Sequence, residues 1–182
     1  MFIATSRRGF RPFALALFAA LALDGCALFQ SPAPPAPPPA PAKPSYDLVA
    51  AIRAAGRAES SVINVTPLRD PGVTALANAA AADDAAGRYQ DEAAKLDQAL
   101  KLSPDAPDLL QARAEAAVRL KDYAQAEQLA HRSWELGPRL GPLCARNWQT
   151  IVEMRLQAND NAGAATARKM LKTCHKPDIN RY

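Results

Sequence analysis

The feature that most constrains this sequence is a period of about 34 residues in its second half. Tyr89 recurs as Tyr123 and Pro104 recurs as Pro138, one period later in each case. The same period separates three further pairs, which are Leu76 and Leu110, Ala80 and Ala114, and Leu102 and Leu136. A period of this length is typical of stacked helical hairpins, because one such unit cannot bury its apolar face alone. The sequence therefore predicts an all-α domain built from repeated hairpins.

The residues at these positions resemble the tetratricopeptide repeat. That family places an apolar residue and then small residues in the first helix, a Tyr after the turn, and Pro at the end. The unit at 107–140 matches best, with Leu110, Ala114, Tyr123, Ala126 and Pro138. The unit at 73–106 matches similarly, and a third at 145–178 follows a four-residue insertion, carries Trp148, and has Asn161 in place of the Tyr. The resemblance implies a right-handed superhelix of about three helical hairpins, with a generic array of hairpins as the alternative.

The segment 1–25 has the order of an export signal. Arg7, Arg8 and Arg11 form a basic region, an uncharged apolar stretch follows, and Leu23-Asp24-Gly25-Cys26 resembles a lipobox. The resemblance implies cleavage before Cys26, diacylglycerol on its sulfur, and acylation (for example by palmitate) of the new amine. Asp24 departs from the usual small uncharged residue. A secretory signal that is cut elsewhere is the alternative, and the basic region fits both Sec and twin-arginine export.

Residues 26–45 are predicted to connect the anchor to the domain. The stretch from 31 to 44 is more than half proline, so polyproline II of about 40 Å is expected. This stretch fits a stalk, while a ligand for a proline-binding domain or for the cell wall is the alternative. Residues 46–72 are predicted to form one helix over 46–57 and an extended connector, and 179–182 form a tail. Ala27 after the anchor resembles the enteric signal for the outer membrane, facing the periplasm.

Charge and residue types exclude several classes of function. The segment 1–25 holds three of the 22 basic and one of the 18 acidic side chains, so 19 and 17 remain after its removal. The resulting net charge of only +2 gives no argument for nucleic acid. With two histidines and no phosphate loop or Cys-x-x-Cys motif, the sequence predicts no catalytic site, metal or cofactor. The acid pairs at 83–84 and 91–92 are expected to lie on a solvated face, the second of them near Lys95.

The cysteines other than Cys26 form an even pair. Cys144 lies at the start of the first helix of the third unit, and Cys174 lies at the end of its second helix. Antiparallel helices bring those two ends together, and the periplasm is oxidising. We therefore predict a disulfide, with two unpaired thiols as the alternative.

Members of the tetratricopeptide family capture peptides in a concave groove lined by the first helix of each unit. The matching positions in the second and third units carry polar residues, which are Asp108, Gln111, Glu115, Arg119, Arg146, Gln149 and Glu153. The first unit offers mainly alanines there. The resemblance implies that the ligand is an extended polar or basic protein segment or a subunit of an envelope complex. A solvated face is the alternative.

Together these features predict a non-enzymatic protein in the bacterial cell envelope, held to the membrane by its lipid. The expected role is a scaffold or assembly factor for an envelope complex. The alternative is a regulatory or carrier subunit of a cell-wall or other envelope enzyme.

Overall fold

The structure is a computed structural model that describes residues 46–60 and 68–176, and all regular secondary structure in these residues is α-helical. Six helices form three antiparallel hairpins, and a further helix precedes them. Their bounds are α1 (Leu48–Ala58), α2 (Pro71–Ala85), α3 (Tyr89–Leu102), α4 (Pro107–Arg119), α5 (Tyr123–Leu136), α6 (Pro142–Gln157) and α7 (Asn161–Lys172). The hairpins are α2–α3, α4–α5 and α6–α7, and neighbouring hairpins pack on one another. The predicted all-α fold of three stacked hairpins is confirmed.

All three hairpins turn in the same way. The second residue after each first helix has a positive φ, which is 72° at Gly87, 64° at Lys121 and 58° at Asn159. The next amide then donates to a carbonyl five residues back, at 2.8, 2.9 and 2.9 Å. This is the hydrogen bond by which a left-handed residue satisfies the last carbonyls of a helix. The repeat seen in the side chains is therefore also present in the backbone.

The helix starts follow equally local rules. Proline is the first residue of α2, α4 and α6, where its missing amide hydrogen costs nothing. Asp122 and Asp160 cap α5 and α7 by accepting a hydrogen bond from an amide of the first turn. The residues 141–144, predicted as an insertion before the third unit, form the cap and first turn of α6. That helix thus begins three residues before position 145.

Helix α1 is part of the core. Its Val49 and Ile52 are 1% and 0% exposed and pack with Ala117, Ala126 and Met154. Burying each of these two side chains contributes about 1.5–3 kcal/mol, which is enough to fix an 11-residue helix that would be marginal alone. α1 packs mainly on α6 and also on α4.

The close approach of α1 to α6 depends on a glycine. A Cβ atom at Gly56 would lie 2.7 Å from Cγ of Arg146 and 3.2 Å from the carbonyl oxygen of Pro142. The second of these atoms belongs to the backbone and cannot rotate away. A side chain at position 56 would therefore push the two helices apart.

The two cysteines of the last hairpin face each other. Their sulfur atoms lie 2.03 Å apart and their Cα atoms 5.6 Å apart, and both residues are buried. The placement of Cys144 and Cys174 at the meeting ends of α6 and α7 agrees with the predicted disulfide.

Several predictions concern residues outside the described ranges. They are the signal peptide at 1–25, the lipid on Cys26, the proline stalk, most of the extended connector and the tail. Among the helices that the structure describes, none has the length and apolar character needed to cross a membrane.

Candidate protein-binding groove

The residues predicted to line a groove do come together, on the faces of α4 and α6 that meet α1. Gln111 and Glu115 are 0% exposed and Glu153 is 2% exposed. These three side chains are therefore neither a solvated face nor an open floor. Arg53 of α1 covers Glu115, Tyr46 just before α1 contacts Glu153, and Gln111 lies between α4 and α6, where it donates to Thr150. This cover was not part of the sequence-based prediction.

Glu115 is the centre of the groove. Its Oε2 accepts a hydrogen bond from Nε of Arg53 at 2.8 Å, so α1 supplies one of its cations. Its Oε1 accepts from Nε and Nη2 of Arg146 at 2.9 and 2.6 Å and from Nε2 of Gln111 at 3.0 Å. A buried carboxylate is tolerable only when its charge and lone pairs are matched in this way. The acidic centre is thus neutralised from within the chain.

Arg53 ties α1 to two other helices at once. Besides Glu115 on α4, it reaches Asp84 on α2, with Nη1 of the arginine 2.8 Å from Oδ2 of the aspartate. Burial disfavours the charged form of Arg53, but the bonds to both carboxylates outweigh it and hold its pKa above the ordinary value. The cation that the sequence led us to expect from a ligand is provided by residue 53 of the same chain.

The beginning of α1 is held by a second polar cluster. The hydroxyl of Tyr46 donates to Glu153 at 2.6 Å, and Nε2 of Gln149 donates to the same oxygen at 2.6 Å. The bond to Glu153, together with burial, raises the pKa of Tyr46 to about 12. Asp47, which caps α1, also accepts from Arg119 at 2.9 Å. Arg119 and Glu153 of the predicted groove set therefore both contact the N-terminal segment.

The remaining predicted residue, Asp108, lies near the start of α4 and forms an ion pair with Arg69. Beside it, between α1 and the hairpin α2–α3, the side chains of residues 46–60 and 68–176 leave the groove unfilled. A cavity of about 740 Å³ lies there, and Ala77 and Ala81 of the first unit line it.

Two of the acids expected on a solvated face are buried, so that prediction is wrong for Asp83 and Glu92, each 4% exposed. Asp83 is paired with Arg88, at 2.5 Å, and with Lys95. Because Lys95 contacts Asp83, it does not pair with Glu92. Oε2 of Glu92 has no hydrogen-bond partner among the described residues, and burial is the main cause that raises its pKa to about 7. The sequence signal for the burial of Glu92 was only its place on the same face of α3 as the buried Leu96 and Ala99.

His131 and the two tryptophans pack together. His131 packs edge-on against Trp148, with ring centroids 5.7 Å apart, and Trp134 does the same from 5.0 Å. In the described ranges 46–60 and 68–176, no group of three or more His, Cys, Asp or Glu side chains is arranged to hold a metal ion.

One solved structure matches more than half of the chain. The globular C-terminal domain of P. aeruginosa LpoP is 32% identical in sequence, with a TM-score of 0.54. The match covers 58% of this chain and 99% of that one. No protein-family model and no curated protein matches the sequence.

Proposed function

Because this chain belongs to the same family as the globular C-terminal domain of P. aeruginosa LpoP, we propose that it is a non-enzymatic protein-binding module of the bacterial cell envelope. In this proposal a lipid on Cys26 anchors it to the outer membrane, facing the periplasm. In this proposal the proline-rich stretch at 31–44 serves as a stalk between that anchor and the domain. The partner is a protein subunit of an envelope complex.

The observation that carries the proposal is the cover of Glu115 and Glu153 by the chain's own N-terminal segment. An extended peptide that used Glu115 and Glu153 would have to displace α1, together with its buried side chains and the ion pairs of Arg53. That exchange would cost several kcal/mol before any new contact formed. A folded partner that meets the outer surface of the domain avoids this cost, so we favour a folded partner over an extended segment.

An apolar edge of the domain offers such a surface. Leu102 and Leu136 end α3 and α5, and they are 63% and 45% exposed. Leu140, in the following loop, is 37% exposed. Both helices are the second helices of their hairpins, so their ends lie at the same edge of the stack. Exposed large apolar side chains that cluster at one edge are typical of protein interaction sites.

Two roles fit a folded partner. The first is a scaffold or assembly factor of an envelope complex. The second is a regulatory or carrier subunit of an envelope enzyme, such as one that acts on peptidoglycan. The covered groove favours the second role, because a preformed outer surface fixes one partner in one orientation, whereas an open groove suits several extended segments.

Capture after crosslinking in intact cells tests the proposal. Leu102→Glu with Leu136→Glu should abolish recovery of the partner, and Ala94→Glu on an exposed part of α3 should retain it. A wall-synthesis or wall-cleaving enzyme as the partner supports the regulatory role, and a pilus or secretion component supports the scaffold. If the double variant recovers the same partner in the same amount, the apolar edge is not the binding surface.

A further inference from the structure

The unfilled part of the groove is a cavity of about 740 Å³. Its walls come from α1, α2, α3, α4 and α6, and they include Ala77, Ala81, Leu96 and Ala112. Pockets of about 300–1,000 Å³ commonly bind small ligands, largely through apolar walls and a few well-placed polar groups. Nine of the 17 lining residues are charged, and the alanines of α2 leave room beside them for a slender aliphatic chain.

The charged groups of this cavity are unevenly matched. Asp84 and Glu115 share Arg53, and Glu115 also holds Arg146. Asp108 is paired with Arg69 through one oxygen, while its other carboxylate oxygen is buried without a hydrogen-bond partner in the described part of the chain. Glu59 is paired with His175, and Arg57 is exposed at the end of α1. Glu92 lines the same cavity, is only 4% exposed, and has a carboxylate oxygen with no hydrogen-bond partner in the described part of the chain.

An unpaired buried carboxylate costs free energy, so a site that keeps one is suited to a ligand that completes it. We propose that this cavity binds an aliphatic cation, with the ammonium or guanidinium group on Glu92 and the alkyl chain along Ala77 and Ala81. The cation could be the side chain of a lysine or arginine in a partner protein, or a free aliphatic amine. This site is separate from the leucine edge and does not depend on which partner that edge binds.

The proposal makes binding depend on pH. Burial raises the pKa of Glu92 to about 7, the charges of Asp84 and Glu115 raise it further, and those of Arg53 and Arg119 lower it. Glu92 is then about 3% ionised at pH 5.5 and about 90% ionised at pH 8. Since only the ionised form pairs with a cation, affinity should rise about thirty-fold between these pH values.

The experiment titrates the full-length protein in detergent at pH 8 by calorimetry. One probe is 1,5-diaminopentane and the other is the peptide acetyl-Ala-Ala-Lys-Ala-Ala-amide, each with a neutral counterpart (1-pentanol and the norleucine peptide). We expect saturable binding of at least one cationic probe and at least tenfold weaker binding by Glu92→Gln. Asp91→Asn is the matched control, because Asp91 is adjacent on α3 but its side chain is 63% exposed.

The outcomes separate the sources of the cation. Binding of the diamine supports a free amine as ligand, and binding of the lysine peptide alone supports a side chain from a partner protein. Failure of both cationic probes, or equal binding by Glu92→Gln, overturns the proposal. If Glu92→Gln does not fold, carbon NMR of the wild-type Glu92 carboxyl replaces it. The bound probe should lower the pKa of Glu92, and an unchanged pKa overturns the proposal.

Discussion

Replacing Glu92 by glutamine should stabilise the protein at pH 8 and change its stability little at pH 4.5. The carboxyl group has a pKa of about 7 in the folded chain, against 4.5 without its surroundings. The folded state therefore holds the proton more tightly than the unfolded state. In the wild type, the unfolding free energy therefore has its full value below pH 4.5, where Glu92 is protonated in both states. It falls as the pH rises from 4.5 to about 7, because the folded state must then ionise a buried group.

The magnitude follows from the same two values. A rise from 4.5 to about 7 corresponds to at most about 3.4 kcal/mol. Because the carboxylate borders a cavity that can admit water, we expect the cost at pH 8 to be about 2 kcal/mol. Glutamine has nearly the same shape and no charge, so the variant should recover this amount at pH 8 and less than about 1 kcal/mol at pH 4.5.

Urea unfolding followed by far-UV circular dichroism at the two pH values measures this difference. Asp91→Asn is again the control. Both acids lie in the first turn of α3, where the helix dipole favours negative charge, so each variant loses that small contribution. Only Glu92→Gln removes a buried charge. If Glu92→Gln and Asp91→Asn change the unfolding free energy by the same amount at pH 4.5 and also at pH 8, then Glu92 is not a buried, unpaired carboxylate.

Three further predictions concern the anchor, the disulfide and the groove. Cys26→Ser should release the protein from the membrane fraction and change its processed size on gels, and an unchanged size and location would exclude lipidation at that residue. Reducing the bond between Cys144 and Cys174, which closes a separation of 30 residues, should lower the unfolding free energy by roughly 3–4 kcal/mol in a denaturant titration. A Cys174→Ser variant that matches the oxidised wild type would argue against the bond. Glu115→Ala should cost about 3–5 kcal/mol by urea unfolding, because it leaves the partly buried Arg146 without its carboxylate and Arg53 with Asp84 alone, and a loss under about 1 kcal/mol would show that the ion pairs are dispensable.

The hairpins could be predicted from sequence because the residues at each helix boundary determine where the helix begins and ends. Proline begins each first helix, and a residue with positive φ ends it at 87, 121 and 159. These signals recur once in each hairpin and need no knowledge of distant contacts. The third unit was predicted to start at residue 145, but α6 starts at Pro142, inside the stretch that looked like an insertion.

The position of α1 could not be predicted in the same way. Val49 and Ile52 show that the helix must bury one face, but they do not specify which surface receives it. The bond from Arg53 to Glu115 joins residues 62 apart in sequence, and no spacing rule connects them. The groove residues were therefore identified as a set, while the helix that covers them was missed.

Glu92 illustrates a third kind of limit. Acids near a lysine on a helix usually form a solvated face. Here Lys95 contacts Asp83 on the preceding helix, and Glu92 is left facing the cavity. Which of two acids a lysine chooses depends on how the two helices of the hairpin cross, which local sequence does not encode.

The central claim is that the groove is closed by the chain's own first helix. Amide hydrogen exchange of the full-length protein tests it directly, because an 11-residue helix that was not docked would exchange rapidly. We predict that the amides of α1 near Ile52 are protected nearly as strongly as those of α4 around Glu115. Exchange of α1 at the rate of an unstructured peptide, with α4 and α6 still protected, would contradict the account.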